Sequence, residues 1–269
     1  MLYFLHIPKT AGSTLNYIIK NNYGEKAKEI RWHWTTWINR EALKEKLKSA
    51  GLASRELVHG HFVFGIHNLQ DGGEGKYLTF VRDPFKKAMS GFHHVKRDPK
   101  AEHHALYREG NVDEYLLDNK IVENDNGLVR RLSGIGNDVP YGRVERKHLE
   151  QAIRNIEDHF LAVGVTEKFD LSVELFKHLG VFKKVYYWKQ NATKHKSGEG
   201  DAPKDETVQK FKKLNALDFE LYNYCKDQLD KKASSINFSQ SAFTFNNRLY
   251  NAYLVPRKVI SKVFRVFKF

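Results

Sequence analysis

Leu2-Tyr3-Phe4-Leu5-His6-Ile7-Pro8-Lys9-Thr10-Ala11-Gly12-Ser13-Thr14-Leu15 changes its periodicity twice in fourteen residues. Residues 2–7 are apolar on both faces, the pattern of a short strand buried inside a parallel sheet. Residues 8–13 are small and turn-forming. Over residues 14–22 the apolar positions fall at Leu15, Ile18 and Ile19, which is helical spacing. A strand that feeds a turn and then a helix aims several backbone N–H groups at one point, where the helix dipole adds partial positive charge. Lys9 adds a full charge, and Thr10, Ser13 and Thr14 add hydroxyls around Ala11 and Gly12. The unit reads as an anion cradle, with a polar turn capped by Ser13 as the plainer alternative. It is not the nucleoside-triphosphatase loop, whose lysine closes G-x-x-x-x-G-K-[ST]. Here the lysine leads.

Outward from this unit, strands are expected over residues 56–64, 76–82, 160–166 and 185–188. Helices are expected over 41–52, 85–95, 111–120, 126–132, 144–157, 170–179, 206–214 and 216–229. Residues 68–75, with Asp71-Gly72-Gly73, and the polar stretch 191–204 read as loops. Strands alternating with helices imply an α/β fold, a P-loop-like and mainly parallel sheet with helices on both faces. At 269 residues the chain is long enough for one full core. The expected organisation is a single domain over 1–232 and a C-terminal extension over 233–269.

Composition narrows the function classes. The formal charge of +13 favours polyanionic partners: nucleotide phosphates, an anionic polysaccharide, nucleic acid or a membrane surface. No recognisable nucleic-acid module is present. A single cysteine, Cys225, permits no internal disulfide and no cysteine-rich zinc site. Pro8 and Lys9 cut the apolar start too short for a signal or spanning helix, so a cytoplasmic location is expected, with a Golgi lumen only if an anchor was removed.

Two further motifs carry chemistry. In Val81-Arg82-Asp83-Pro84-Phe85-Lys86-Lys87-Ala88-Met89-Ser90, Arg82 ends a buried strand, where open α/β sheets bind ligands. Asp83 and Pro84 then start a helix as N-cap and first helical residue. Ser90 lies two turns along that helix, near the face set by position 83. A guanidinium fork with a hydroxyl suits a phosphate monoester; an ion pair at a strand–helix junction is the alternative. In His59-Gly60-His61, residues two apart in a strand share a face. An imidazole there suits proton abstraction, against a structural histidine pair or an adventitious metal site.

Taken together and in this order, the Ile-Pro-Lys-Thr loop, the Arg-Asp-Pro stretch with its serine and the His-Gly-His resemble the PAPS (3′-phosphoadenosine 5′-phosphosulfate)-dependent sulfotransferases. The resemblance is to their polysaccharide O-sulfotransferase branch, which contains the heparan sulfate 2-O-sulfotransferases. It extends through Phe160-Leu-Ala-Val-Gly-Val-Thr-Glu167 and spans about residues 2–230. It implies that residues 9–14 (Lys9, Thr10, Ala11, Gly12, Ser13, Thr14) hold a 5′-phosphosulfate and that Arg82 and Ser90 hold a 3′-phosphate. It nominates His61 as the catalytic base, with His59 in support and Lys9 stabilising the leaving phosphate. More loosely, Asn191, Thr193 and Lys194 resemble the basic loop that closes the nucleotide pocket. The implied donor is PAPS, the product PAP and the acceptor a polyanionic carbohydrate, with no metal required. A non-catalytic polyanion-binding module and a P-loop-type kinase are the alternatives. Arg130, Arg131, Arg143 and Arg146 read as solvated helix faces or as the lining of an acceptor groove. Animal members carry an N-terminal anchor and paired cysteines, and this chain shows neither. Residues 254–269 carry five cations and no acid, with Val255, Val259, Val263 and Phe267 on one helical face. Such a helix can lie on an anionic bilayer or dock on protein.

Overall fold

The computed structural model describes residues 1–30, 40–49, 51–52, 55–69, 74–188 and 202–266. Strands β1 (Leu2–Leu5), β2 (Ala27–Ile30), β3 (Leu57–Gly60), β4 (Lys76–Val81) and β5 (Phe160–Val165) form one sheet in the order β2-β3-β1-β4-β5. Every pairing is parallel. Helices flank it: α1 (Gly12–Tyr23), α2 (Arg40–Ser49), α3 (Pro84–Arg97), α4 (His104–Tyr107), α5 (Val112–Leu117), α6 (Gly127–Ser133), α7 (Arg146–His159), α8 (Phe169–His178), α9 (Asp205–Leu214), α10 (Ala216–Ala233) and α11 (Gln240–Val266).

Both faces of β1 are buried: Tyr3, Phe4 and Leu5 expose 2% or less, which is why its sequence is continuously apolar and not alternating. Against it pack Leu15, Ile18 and Ile19 of α1, each worth ~1.5–3 kcal/mol on burial. Asp83 caps α3 as its sequence predicts, its carboxylate accepting from the Lys86 N–H at 2.8 Å with Pro84 in the first turn. A smaller apolar cluster, with Phe92, Tyr107, Tyr115, Leu116 and Phe211, joins α3, α4, α5 and α9.

Two strand expectations need correction. The strand through His59 ends at Gly60, so His61 lies beyond the ladder and strand alternation does not place it. Residues 185–188 form no strand. Val185 and Tyr187 are indeed buried, but the backbone is held by side chains of α11. Asn247 Oδ1 accepts from the Tyr187 N–H at 2.8 Å, and Asn251 Nδ2 donates to the Tyr187 carbonyl at 3.0 Å. On the same helix Phe243 enters the main core, and the Tyr250 and Tyr17 hydroxyls lie 3.1 Å apart. Among the described residues no helix is long and apolar enough to cross a membrane. Side chains from 254 onward, and with them the predicted basic face, lie outside the described residues, as do residues 70–73 of the loop expected over 68–75, whose first two residues end a 3-10 turn at Ile66–Leu69.

Candidate active site

With β1 flanked by β3 and β4, the C-terminal ends of three adjacent parallel strands deliver the three sequence motifs to one edge of the sheet, where such folds bind ligands. Between β1 and α1, Lys9 and Ala11 both adopt left-handed backbone, at φ 68° and 66°. That conformation costs ~1–2 kcal/mol for a non-glycine residue, and it turns successive N–H groups into a concavity suited to anions. Thr10 is fully buried, and its hydroxyl donates to the Ile7 carbonyl at 2.7 Å, so its donor serves the loop's own shape. The cap position falls on Ala11 and not on Ser13; no side chain caps α1, and its first turn holds no acid. The positive end of the α1 dipole is therefore not neutralised by the helix itself.

Arg82 joins the second motif to the first. Its Nη1 donates to the Lys9 carbonyl at 3.0 Å. The junction behind it is fixed by the stretch after β5: the Thr166 hydroxyl donates to the Val81 carbonyl at 2.9 Å, and Glu167 Oε1 accepts from the Asp83 N–H at 3.3 Å. Ser90 sits half-buried on α3. Burial, then repulsion from Arg97 and Arg82, pulls the Lys9 amine down to about 8, with Asp98 opposing. His94, also on α3, is lowered by burial and then by Lys9. A cluster in which cations depress one another is relieved by a bound anion.

On the β3 side, parallel register pairs Phe4 with His59 and Leu5 with Gly60. One step further the His6 N–H donates to the Gly60 carbonyl at 2.8 Å, which sets His6 beside His61. Their rings meet, His61 Nε2 to His6 Nδ1, at 3.1 Å. Only glycine fits at position 60, because a Cβ there would lie 2.1 Å from the Ile30 carbonyl oxygen at the end of β2. Burial first, then Arg131, lowers His61 to about 4 against the opposing pull of Glu123. His61 is accordingly neutral at physiological pH and able to accept a proton. His59 is buried in β3, close enough to lower His6 electrostatically.

Arg131 and its neighbour Arg130 depart from both sequence expectations. They are neither solvated nor groove-lining but fully buried on α6. Arg130 pairs with the Asp125 carboxylate and donates to the carbonyls of Asp125, Gly136, Val139 and Pro140. Arg131 Nε donates to Glu123 Oε1 at 2.8 Å, while Lys87 of α3 holds Glu123 Oε2 at 2.9 Å. This buried triad stands behind His61. Arg143 and Arg146 are exposed, and Arg146 pairs with Glu220.

The structure thus brings together Lys9, the start of α1, Arg82 and His61. Asn191, Thr193 and Lys194 lie outside the described residues. His6 is the site residue that sequence reasoning passed over; the pairing of strands around residues 2–7 and 57–60 was the signal that locates it. Among the described residues no group of three or more potential ligands could hold a metal ion. Compared with models of protein families, the chain matches the one described as the sulfotransferase family over residues 1–225. No curated protein matches it.

Proposed function

Because the chain belongs to the sulfotransferase family, we propose that it transfers a sulfuryl group from PAPS to a hydroxyl of an anionic polysaccharide, in the manner of the heparan sulfate 2-O-sulfotransferases. Sulfuryl transfer in general follows from family membership; the donor, the acceptor class and the histidine base are the proposal. One observation carries it: three adjacent strand ends gather Lys9, Arg82 and a neutral His61 around an uncapped helix start.

The residues fit the donor. Mutual repulsion and burial at Lys9 favour an anion beside it, and the Arg82 fork, with Ser90 on the next helix, suits the 3′-phosphate. When bound, PAPS supplies the sulfuryl group and a phosphate leaving group. Lys9 and the first amides of α1 stabilise the charge that grows on the leaving oxygen. His61 takes the proton of the acceptor hydroxyl. The buried Arg131–Glu123–Lys87 triad anchors the wall behind His61, since the Arg131 carbonyl accepts from the Phe64 N–H at 2.8 Å. Positioning and electrostatics do most of the work, as in other transfers from phosphate.

The test is a thermal-shift titration with PAP. Binding raises the melting temperature by mass action, Lys9→Ala or Arg82→Ala removes the rise, and His61→Ala keeps it but loses turnover against a panel of uronic-acid polysaccharides. No rise at concentrations near millimolar would end the reading. A non-catalytic polyanion-binding surface would instead give salt-sensitive binding indifferent to both substitutions.

A further inference from the structure

One hydrogen lies between His61 Nε2 and His6 Nδ1, 3.1 Å apart with the rings tilted at 56°. Its owner decides what His61 can do. If His6 Nδ1 carries it, His61 Nε2 is the acceptor, His61 Nδ1 holds the ring's own hydrogen, and no lone pair remains for an acceptor hydroxyl. If His61 Nε2 carries it, His61 Nδ1 is a free base.

We propose that His6 is a positioning residue: it accepts from the Nε2–H of His61, fixes that tautomer and leaves His61 Nδ1 as the basic nitrogen. This rests on the transfer reaction proposed above. In the step so defined, the acceptor O–H bond breaks and its proton moves to His61 Nδ1. The oxygen's electron pair forms the new bond to sulfur, and the old sulfur–oxygen pair departs with the phosphate. The resulting imidazolium keeps His6 as its hydrogen-bond acceptor and later returns a proton to water.

Two features of the fold hold His6 in this role. Its ring is wedged: a Cβ on Gly12 would stand 2.1 Å from both Cε1 and Nε2 of His6, so the imidazole cannot shift toward α1. Its backbone is fixed by the bond to Gly60. The far nitrogen, Nε2, is buried and has no partner in the structure, and in the proposed tautomer it carries His6's hydrogen. A buried N–H without a partner carries its full desolvation penalty, so this tautomer is held at some cost in stability. Burial, then His61 and Arg131, keep His6 well below the ordinary imidazole range, so the pair is neutral and shares a single hydrogen. The orienting aspartate of a serine-protease triad plays the same part with a charge; a neutral imidazole orients without making the base stronger.

The test reads the hydrogen directly. Long-range ¹H–¹⁵N spectra of the full chain, histidine-labelled and saturated with PAP at about pH 7, are expected to show His61 bare at Nδ1 and protonated at Nε2. His6→Asn, whose amide oxygen can still accept, keeps that state, while His6→Phe gives mixed tautomers. With both variants binding PAP like the parent, His6→Phe lowers kcat by about tenfold or more at unchanged KM for PAPS, and His6→Asn recovers most of it. A wild-type His61 protonated at Nδ1, or a His6→Phe protein with the parent's tautomer, would overturn the proposal. If His6→Phe fails to fold, the wild-type spectrum decides alone. Absence of any PAP-induced thermal shift would count against the donor site, independently of the tautomer.

Discussion

Raising the pH through 8 should weaken PAP binding by discharging Lys9. Its amine falls from an ordinary 10.5 to about 8 in the folded protein, chiefly through burial and then through Arg97 and Arg82. That difference corresponds to at most about 3–4 kcal/mol, and the solvent that reaches the half-buried side chain screens part of it. The folded value lies below the unfolded one, so folding carries the full penalty below about pH 8. The penalty is relieved between about pH 8 and 10.5. A bound phosphate reverses the bias and returns the amine toward its ordinary value. Binding should therefore take up about 0.1 proton at pH 7 and about 0.5 at pH 8, and Kd should rise toward tenfold per pH unit above that. Calorimetry in two buffers of different ionisation enthalpy measures the uptake. Lys9→Arg, whose guanidinium stays charged, should bind without the pH slope. A flat affinity between pH 7 and 9.5, or the same slope in Lys9→Arg, would refute this account of the loop.

The transfer rate itself should plateau between the two titrations, with kcat/KM falling on the acid side only as His61 is protonated near about 4; an acid limb at an ordinary histidine value would show His61 to be solvated. Gly12→Ala should cut turnover by up to about 100-fold in the polysaccharide assay, because its Cβ would lie 2.1 Å from the His6 ring and clearing it takes a shift of roughly 1 Å, enough to cost that much. Unchanged turnover would mean that the ring relaxes harmlessly. Glu123→Ala leaves Lys87 and Arg131 buried without their shared carboxylate and should cost about 3–5 kcal/mol in urea denaturation. A loss below about 1 kcal/mol would mean that water replaces the carboxylate. Truncation after Asn251 removes the acid-free segment 254–269 but keeps Asn247 and Asn251, and it should abolish flotation with anionic liposomes. Equal recovery with and without the segment would end the membrane reading.

Local signals made much of this fold legible. The β1–loop–α1 unit announces itself by a switch from an unbroken apolar run to helical spacing, and Asp83-Pro84 marks the start of α3 through its own capping chemistry. β2 escaped because Ala-Lys-Glu-Ile at an edge pairs with β3 alone and buries only Ile30. Residues 185–188 misled because alternate burial suggests a strand, whereas their hydrogen-bond partners are amide side chains some sixty residues away. Arg130 and Arg131 looked solvated because nothing local reveals that Asp125 and Glu123 fold back against them. At the site, Lys9, Arg82 and His61 were legible as motifs, each near a strand end. The His6–His61 contact was not, since it depends on register between strands separated by 55 residues.

The grip of α11 on Tyr187 and Tyr17 bears on the order in which the protein can be completed during synthesis. Strands β1 to β5 and the donor loop leave the ribosome before residues 243–251 exist, and domains generally fold from the N-terminus as they emerge. A nascent chain can therefore hold a formed sheet while Tyr187 still lacks the two asparagines that satisfy its N–H and carbonyl. Until α11 arrives, those two backbone groups have only water to bond. The helix that satisfies them, α11, is translated only after the whole sheet.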